Sequence, residues 1–426
     1  DVTAAIILLG LMVPALFVLA NFDKYLVPGY KKVSGLENAL SAKIFDVLSN
    51  ITTVIILRVE SLVYRSVDDA MQKPLPQFTT NANLNEWKWF SAAALGRLAV
   101  VVVVGVYLLK QLALGTVLVG TVYILYGYVE RIRGIFFQFA YMYNEMIRQR
   151  AQVANAEELS ADFRDSLNSK KNRLPKGWRV LSVNDLSFSY GTSDTLSIAD
   201  VGMEIKKGER IAVIGESGGG KSTFLKLVRE LYHPRSLSLA VDGEVLAGGF
   251  AAIENSISLL PQDPEIFATT VRENITLGID YPESHIKVFT DMARFTEIAD
   301  RLPKKLESSV VEKGVNLSGG EKQRLALSRG LLASEHKEII LLDEPTSSVD
   351  FENELAIYQN VFDAFPQKTV ISSIHRLHLL SLFDTVYLFQ AGRIIAHGSF
   401  EELKSNSPEF QSLWERYIKA RDGGEV

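Results

Sequence analysis

Cysteine is absent from the 426 residues. Its absence excludes disulfides and thiolate metal sites, and it suits a protein with most of its mass in a reducing compartment. Positive charge is not in excess either. The 45 Lys and Arg against 50 Asp and Glu leave a net charge of −5, so no basic field argues for nucleic acid and no nucleic-acid partner is expected. No low-complexity tract or short-period repeat stands out. Charge of either sign is missing from two windows and nearly so from a third. Residues 4–21 (AAIILLGLMVPALFVLAN) and 112–129 (LALGTVLVGTVYILYGYV) carry none, and residues 90–109 (FSAAALGRLAVVVVVGVYLL) carry Arg97 alone. Each approaches the ~20 apolar residues that cross ~30 Å of hydrocarbon as a helix. A buried core helix is the alternative, but three such windows are hard to bury in a soluble domain. The lipid bilayer is therefore an expected partner.

Lys110 and Gln111 alone separate the second and third windows, which predicts a tight hairpin there. Residues 22–89 are mixed in charge, with Lys24, Lys31, Lys32, Lys43, Arg58 and Arg65 giving a weak positive-inside signal. The flanking spans are expected to continue into this stretch as long extensions. Three spans before a cytoplasmic C-terminal half put residue 1 on the outer side. The chain opens at Asp1 with neither an initiator Met nor a signal peptide, so further membrane helices are expected upstream. Arg97 lies within a span, where charge is costly and faces a cavity or a partner, unless it snorkels. Glu130, Arg131 and Arg133 follow the third window. They suit an anionic headgroup or an ordinary interfacial cluster.

From about Trp178 the texture changes to short apolar β-rich runs alternating with amphipathic helices, at 210–214, 256–260, 338–342 and 369–372. That pattern predicts an α/β domain with a largely parallel sheet. The first of these runs leads into Gly215-Glu216-Ser217-Gly218-Gly219-Gly220-Lys221-Ser222-Thr223 and then a helical stretch. This is GxxxxGK[ST] between strand and helix. Its glycines let backbone N–H groups curl around phosphate oxygens, and the helix N-terminus adds partial positive charge. Lys221 can reach the β- and γ-phosphates, and Ser222 can ligate Mg²⁺.

The run Ile339-Ile340-Leu341-Leu342 ends in Asp343 and Glu344. Two acids closing an apolar strand are costly unless they face a charge. Asp343 can hold Mg²⁺ through water and Glu344 can polarise an attacking water; a capped strand end is the plainer reading. Leu317-Ser318-Gly319-Gly320-Glu321 reads as a helix start, with Ser318 as N-cap and Glu321 completing a capping box.

This last motif, with Lys322-Gln323-Arg324 after it, resembles the signature of the ATP-binding cassette (ABC) family. Other elements follow in the family's order. Tyr190 resembles the aromatic that stacks on adenine, and Gln262 the Q-loop glutamine that contacts Mg²⁺. Val311-Glu312-Lys313-Gly314 resembles the exporter X-loop, Ser347-Ser348-Val349-Asp350 the D-loop, and His375 the switch histidine near the γ-phosphate. The membrane half resembles the last three of six helices in an exporter-type (type IV) half-transporter, with Pro14 inside the first and a coupling-helix pattern near residues 39–53.

The resemblance implies a multidomain protein: an all-α transmembrane domain (1–155), a linker (156–177) and an α/β P-loop NTPase cassette (178–426). The cofactors implied are ATP and Mg²⁺. Catalysis would rest on Glu344, His375 and Gln262, and the metal on Ser222, Gln262 and Asp343. Nucleotide would be held by Tyr190, Gly215, Ser217, Gly218, Gly219, Gly220, Lys221, Ser222, Thr223, Ser318, Gly319, Gly320 and Asp350, with Ser318 and Gly320 given by a second copy. A second half-transporter, identical or related, is the implied partner, and the activity is ATP-driven export of a lipid, peptide or amphiphilic drug. The implied location is a membrane, a bacterial inner membrane first, with the cassette in the cytoplasm. An ATP-gated channel or a nucleotide-binding regulator is the rival reading, which an intact Glu344 opposes.

Overall fold

The computed structural model describes residues 2–167, 172–191, 195–310 and 317–422. The chain divides into two compact units, Asp1–Ser166 and Leu167–Val426.

The first unit is helical. Helix α1 runs Val2–Ser49, α2 Ile51–Ile56, α3 Glu60–Gln72, α4 Leu75–Ala113 and α5 Val119–Leu167. Two stretches, Val2–Ser49 and Glu60–Ala113, are long and apolar enough to cross a membrane. α1 and α4 pack along much of their length. Their apolar ends meet through Ala4 and Leu8 on α1 and Ala99, Val100 and Val103 on α4, joined by Val129 of α5. Further along α1 the seam turns polar. Lys88, 1% exposed, donates to Asp23 at 2.6 Å, and Asn81 lies against Gly29, where a Cβ would fall 2.2 Å from its Oδ1.

Three sequence expectations need correction here. The window 112–129 is not one helix: α4 ends at Ala113, and a turn with Gly115 at φ 65° precedes α5. Its apolar residues straddle that turn, so the hairpin falls at 114–118 and not at Lys110-Gln111. The coupling-helix pattern at 39–53 straddles a break at Asn50; the separate short helix is α2. Finally, the expected linker 156–177 is helix α5 as far as Leu167. Beyond it, Leu174 is buried and its amide donates to Ser256 Oγ at 2.9 Å, so that end belongs to the cassette.

The second unit holds two sheets. Strands β1 (Val180–Phe188), β2 (Ile198–Lys206), β4 (Ser236–Val241) and β5 (Glu244–Val245) form an antiparallel sheet in the order β2-β1-β4-β5. The other sheet runs β10-β9-β3-β8-β7-β6, from β3 (Arg210–Gly215), β6 (Ile257–Leu260), β7 (Ile339–Asp343), β8 (Thr369–Ser373), β9 (Thr385–Gln390) and β10 (Arg393–Gly398). All of it is parallel except the β9–β10 edge. Buried on both faces, its inner strands β3 and β7 read as near-continuous apolar runs, as parallel strands do. α6 (Lys221–Val228) follows β3. A helical region of α7 (Val271–Thr276), α8 (Glu283–Met292) and α9 (Thr296–Arg301) precedes α10 (Gly319–Ala333), and α11 (Phe351–Ala364) links β7 to β8. After β10 come α12 (Phe400–Asn406) and α13 (Pro408–Asp422). The parallel strands β3, β7 and β8 thus end side by side, and their C-terminal ends carry the site, as in open α/β sheets generally.

Candidate nucleotide site

The loop after β3 is built for close approach. Gly215 has φ 144°, and a Cβ there would lie 2.1 Å from Phe389 O, so no other residue fits without moving β9. Gly220, at φ 106°, is the N-cap of α6 and starts its axis at the loop. Lys221 opens that helix and is buried. Its Nζ donates to Gly215 O at 2.8 Å and Glu216 O at 3.2 Å. Burial lowers its pKa, and the nearby carboxylates of Glu344 and Asp343 oppose the shift. A lysine so placed is short of negative charge, which a phosphate supplies.

The acids at the end of β7 are set by β8. Pairing puts Asp343 opposite Ser373. Asp343 Oδ1 accepts from Ser373 Oγ at 2.8 Å and from Ser222 Oγ at 2.9 Å. Ser222 and Asp343 thus converge as one hydroxyl and one carboxylate, a hard oxygen pair of the kind Mg²⁺ takes, so these residues fit that ion. Glu344 turns out of the strand with φ 48°, a left-handed conformation unusual for a non-glycine residue. Its amide donates to Ser373 Oγ at 3.0 Å. Its carboxylate accepts from Gln262 Nε2 at 2.8 Å and lies 3.2 Å from His375 Nε2. Gln262, Glu344, His375 and the loop Ser217–Thr223 line one polar cleft of about 270 Å³. Tyr190 holds Thr223 through their hydroxyls at 3.0 Å and packs edge-on against Phe188 and Tyr232. Its ring is 41% exposed, free to take a flat partner.

The remaining predicted residues are built elsewhere. Ser318 caps α10 and Glu321 completes the capping box, as the spacing predicts. Asp350 caps α11, and the bonds from Asn353, amide and side chain, hold its carboxyl below the usual range. Gln323 of α10 donates to Ser347 Oγ at 2.7 Å and accepts from the Ser348 amide at 2.8 Å, tying the signature helix to the Ser347–Asp350 loop. Neither Ser318, Gly319, Gly320 nor Asp350 lines the phosphate cleft. The residues Val311 to Gly314 lie outside the described residues. Sequence reasoning missed Ser373, which orients both acids, and quoted Gln323 only as part of the signature, with no role of its own. A serine at the end of a strand, here the second of Ser372-Ser373, gives no signal until its neighbour strand is known.

Residues 198–347 match the family model described as ABC transporter. The chain is 28% identical over 319 residues to the "Multidrug resistance ABC transporter ATP-binding and permease protein" of Lactococcus lactis subsp. lactis, and equally to its counterpart in subsp. cremoris. Each match covers 74% of this chain and 52% of the relative, so the chain spans about half the length of these relatives. Among solved structures it resembles a bacterial Atm1-family ABC exporter with ATP bound, at 22% identity and TM-score 0.79, over 96% of this chain and 72% of that one. Residues 198–347 thus carry an ABC transporter cassette segment. In fold the chain is like that exporter, with long apolar helices ahead of the cassette.

Proposed function

We propose that this chain is part of a dimeric exporter that binds MgATP at the P-loop cleft, hydrolyses it, and moves a lipid, peptide or amphiphilic drug across a membrane. The observation that carries the reading is the hold of Gln262 and His375 on Glu344 beside the P-loop. Lys221 would trade its two loop carbonyls for β- and γ-phosphate oxygens. Ser222, Asp343 and Gln262 would hold Mg²⁺, which neutralises charge on the phosphates when bound. Tyr190 would stack on the adenine.

Each oxygen of an ionised carboxylate has two lone pairs. Glu344 therefore keeps acceptor capacity for a water proton while Gln262 and His375 fix its angle. It would orient the water and take its proton as the water attacks the γ-phosphorus, with His375 stabilising charge on the γ-oxygens. Catalysis of this kind is positioning and electrostatics. The signature residues lie off the cleft of their own chain, which supports a site completed by Ser318 and Gly320 of a second chain. Helix α2 is the candidate coupling helix, and the helical unit the candidate membrane domain. A bacterial inner membrane is the proposed location; the relatives support it only in being bacterial.

The test is ATP turnover by the membrane-embedded chain beside Glu344→Gln. The variant is expected to bind ATP and lose turnover by about 10²-fold or more, within the range of removing a positioned general base. Equal turnover in both would remove Glu344 from the reaction. A wild type that binds ATP and stays idle would overturn the hydrolytic reading.

A further inference from the structure

Behind Glu344 and His375 lies a second polar cluster that the reaction above does not use. Glu354 projects from the first turn of α11 into the domain, its side chain 5% exposed. Its Oε1 accepts from Thr346 Oγ1 at 2.7 Å. Its Oε2 accepts from Arg376 Nη1 at 3.0 Å, and the same Nη1 donates to Val349 O at 2.7 Å. Thr346 is two residues after Glu344, and Arg376 is the residue after His375. Glu354 thus joins the segment leaving β7 to the segment leaving β8, each just past the side chain that enters the cleft. A polar cavity of about 200 Å³ lies between the two pairs, lined by Glu344 and His375 as well as Thr346, Glu354 and Arg376. His378 flanks the tie: Nε2 lies 3.6 Å from Glu354 Oε2, Nδ1 meets Tyr417 Oη at 3.0 Å, and the ring packs on Phe351.

A salt bridge placed here for stability alone would be a poor device. Burial penalises the Glu354 charge, and hydrophobic residues of similar volume commonly do as well. What the pair does is geometric. Ser373 already ties the two strand ends through Asp343 and the Glu344 amide, but beyond it the side chains of Glu344, in a left-handed conformation, and His375, 53% exposed, meet through a single contact across open cleft. We propose that Glu354 and Arg376 are positioning residues: they clamp the Glu344 and His375 segments at the spacing that hydrolysis requires, and through Val349 they hold the 347–350 loop in the same unit. This rests on the hydrolytic reading of the site.

The test compares Glu354→Ala, Arg376→Ala, the double variant and Glu354→Gln in the membrane-embedded chain. Turnover is read with amide hydrogen exchange at 345–350 and 374–377 in the absence of nucleotide. Each alanine variant is expected to lower kcat about tenfold or more, since small misplacements of reacting groups carry losses of this order. KM for ATP should stay within about twofold, because no phosphate-binding side chain is touched. The double variant should be no worse than either single one, as for residues acting as a unit. Glu354→Gln, which can still meet both neighbours, should recover most of the lost rate. Both segments should exchange faster together in the alanine variants, a readout independent of turnover. Unchanged kcat in the alanine variants, or losses that multiply in the double variant, overturns the proposal. So does faster exchange in one segment alone. An idle wild type, with both segments still loosening together in the alanine variants, would overturn hydrolysis and leave the clamp standing.

Discussion

Glu354 shows how charge is handled at the scale of one residue. Burial raises its pKa from the ordinary 4.5, although the bonds from Thr346 and Arg376 pull the other way. A carboxyl whose folded pKa lies above its unfolded value binds more protons folded than unfolded in the interval between them. The stability it lends is complete below about pH 4.5 and is lost as pH rises through the folded pKa. Glutamine has no such dependence. The melting temperature of Glu354→Gln relative to wild type should therefore climb between about pH 4.5 and 7, followed by differential scanning fluorimetry of the cassette transition. A difference that falls over that interval would mean pairing with Arg376 outweighs burial. At this scale the sequence was legible where chemistry is contiguous. Gly215 to Thr223, Asp343 with Glu344, and Ser318 with Glu321 each declare themselves within a few residues. Ser373 and Glu354 do not, because what brings them to the site is the Asp343–Ser373 pairing and the inward turn of α11.

Among elements, caps and close approaches decide more than propensity. Ser318 Oγ accepts from the Glu321 amide, and Glu321 returns the bond to the Ser318 amide at 2.8 Å. Ser318→Ala should cost α10 about 1 kcal/mol of stability, seen as faster amide exchange in the first turn, 319–322. Any larger loss of turnover would then belong to the site and not to the helix. In the helical unit the tight point is Gly29 on α1 against Asn81 on α4. Gly29→Ala should cost about 1–3 kcal/mol as an overpacked contact. Adding Asn81→Ala should restore part of it by clearing the obstruction, measured by thermal unfolding in detergent. Asn81 Nδ2 finds no partner among the described residues, while Oδ1 accepts from Gln77 Nε2 at 3.0 Å, so that one bond within α4 is what the second substitution gives up. The helix boundaries were the least legible feature here. Hydropathy integrates over a window and does not register a turn whose flanks are equally apolar. Leu112, Leu114, Leu118 and Val119 are all exposed apolar residues around the break, and the signal was the single Gly115 in their midst. The break at Asn50 was hidden in the same way, since α1 stays helical far past its apolar half.

At the scale of the whole molecule, the predicted nucleotide residues of the cassette fall into two groups. Lys221, Asp343, Glu344 and His375 gather at the ends of the parallel strands, while Ser318 and Gly320 start a helix whose N-terminus lies off that cleft. A helix N-terminus attracts anions, and on the dimeric reading proposed above a second chain would bring the phosphate to it. Gly320 is suited to such a face: a Cβ there would fall 2.6 Å from Ser348 O, so the helix start and the 347–350 loop pack too closely for a side chain. A composite site of this kind makes a sharp prediction for mixed assemblies. Lys221→Ala disables the phosphate cleft and Ser318→Arg blocks the signature face, so homodimers of either variant should be idle. In a heterodimer of the two, one site pairs both defects and the other pairs an intact cleft with an intact signature. Co-expression with different affinity tags, followed by tandem purification, isolates that species. ATP turnover should reappear at up to about half the wild-type rate if the two sites fire independently, and at less if they must fire together. If the mixed dimer stays idle, the cleft is completed within its own chain or by a different partner chain, and the pairing of two identical copies is wrong.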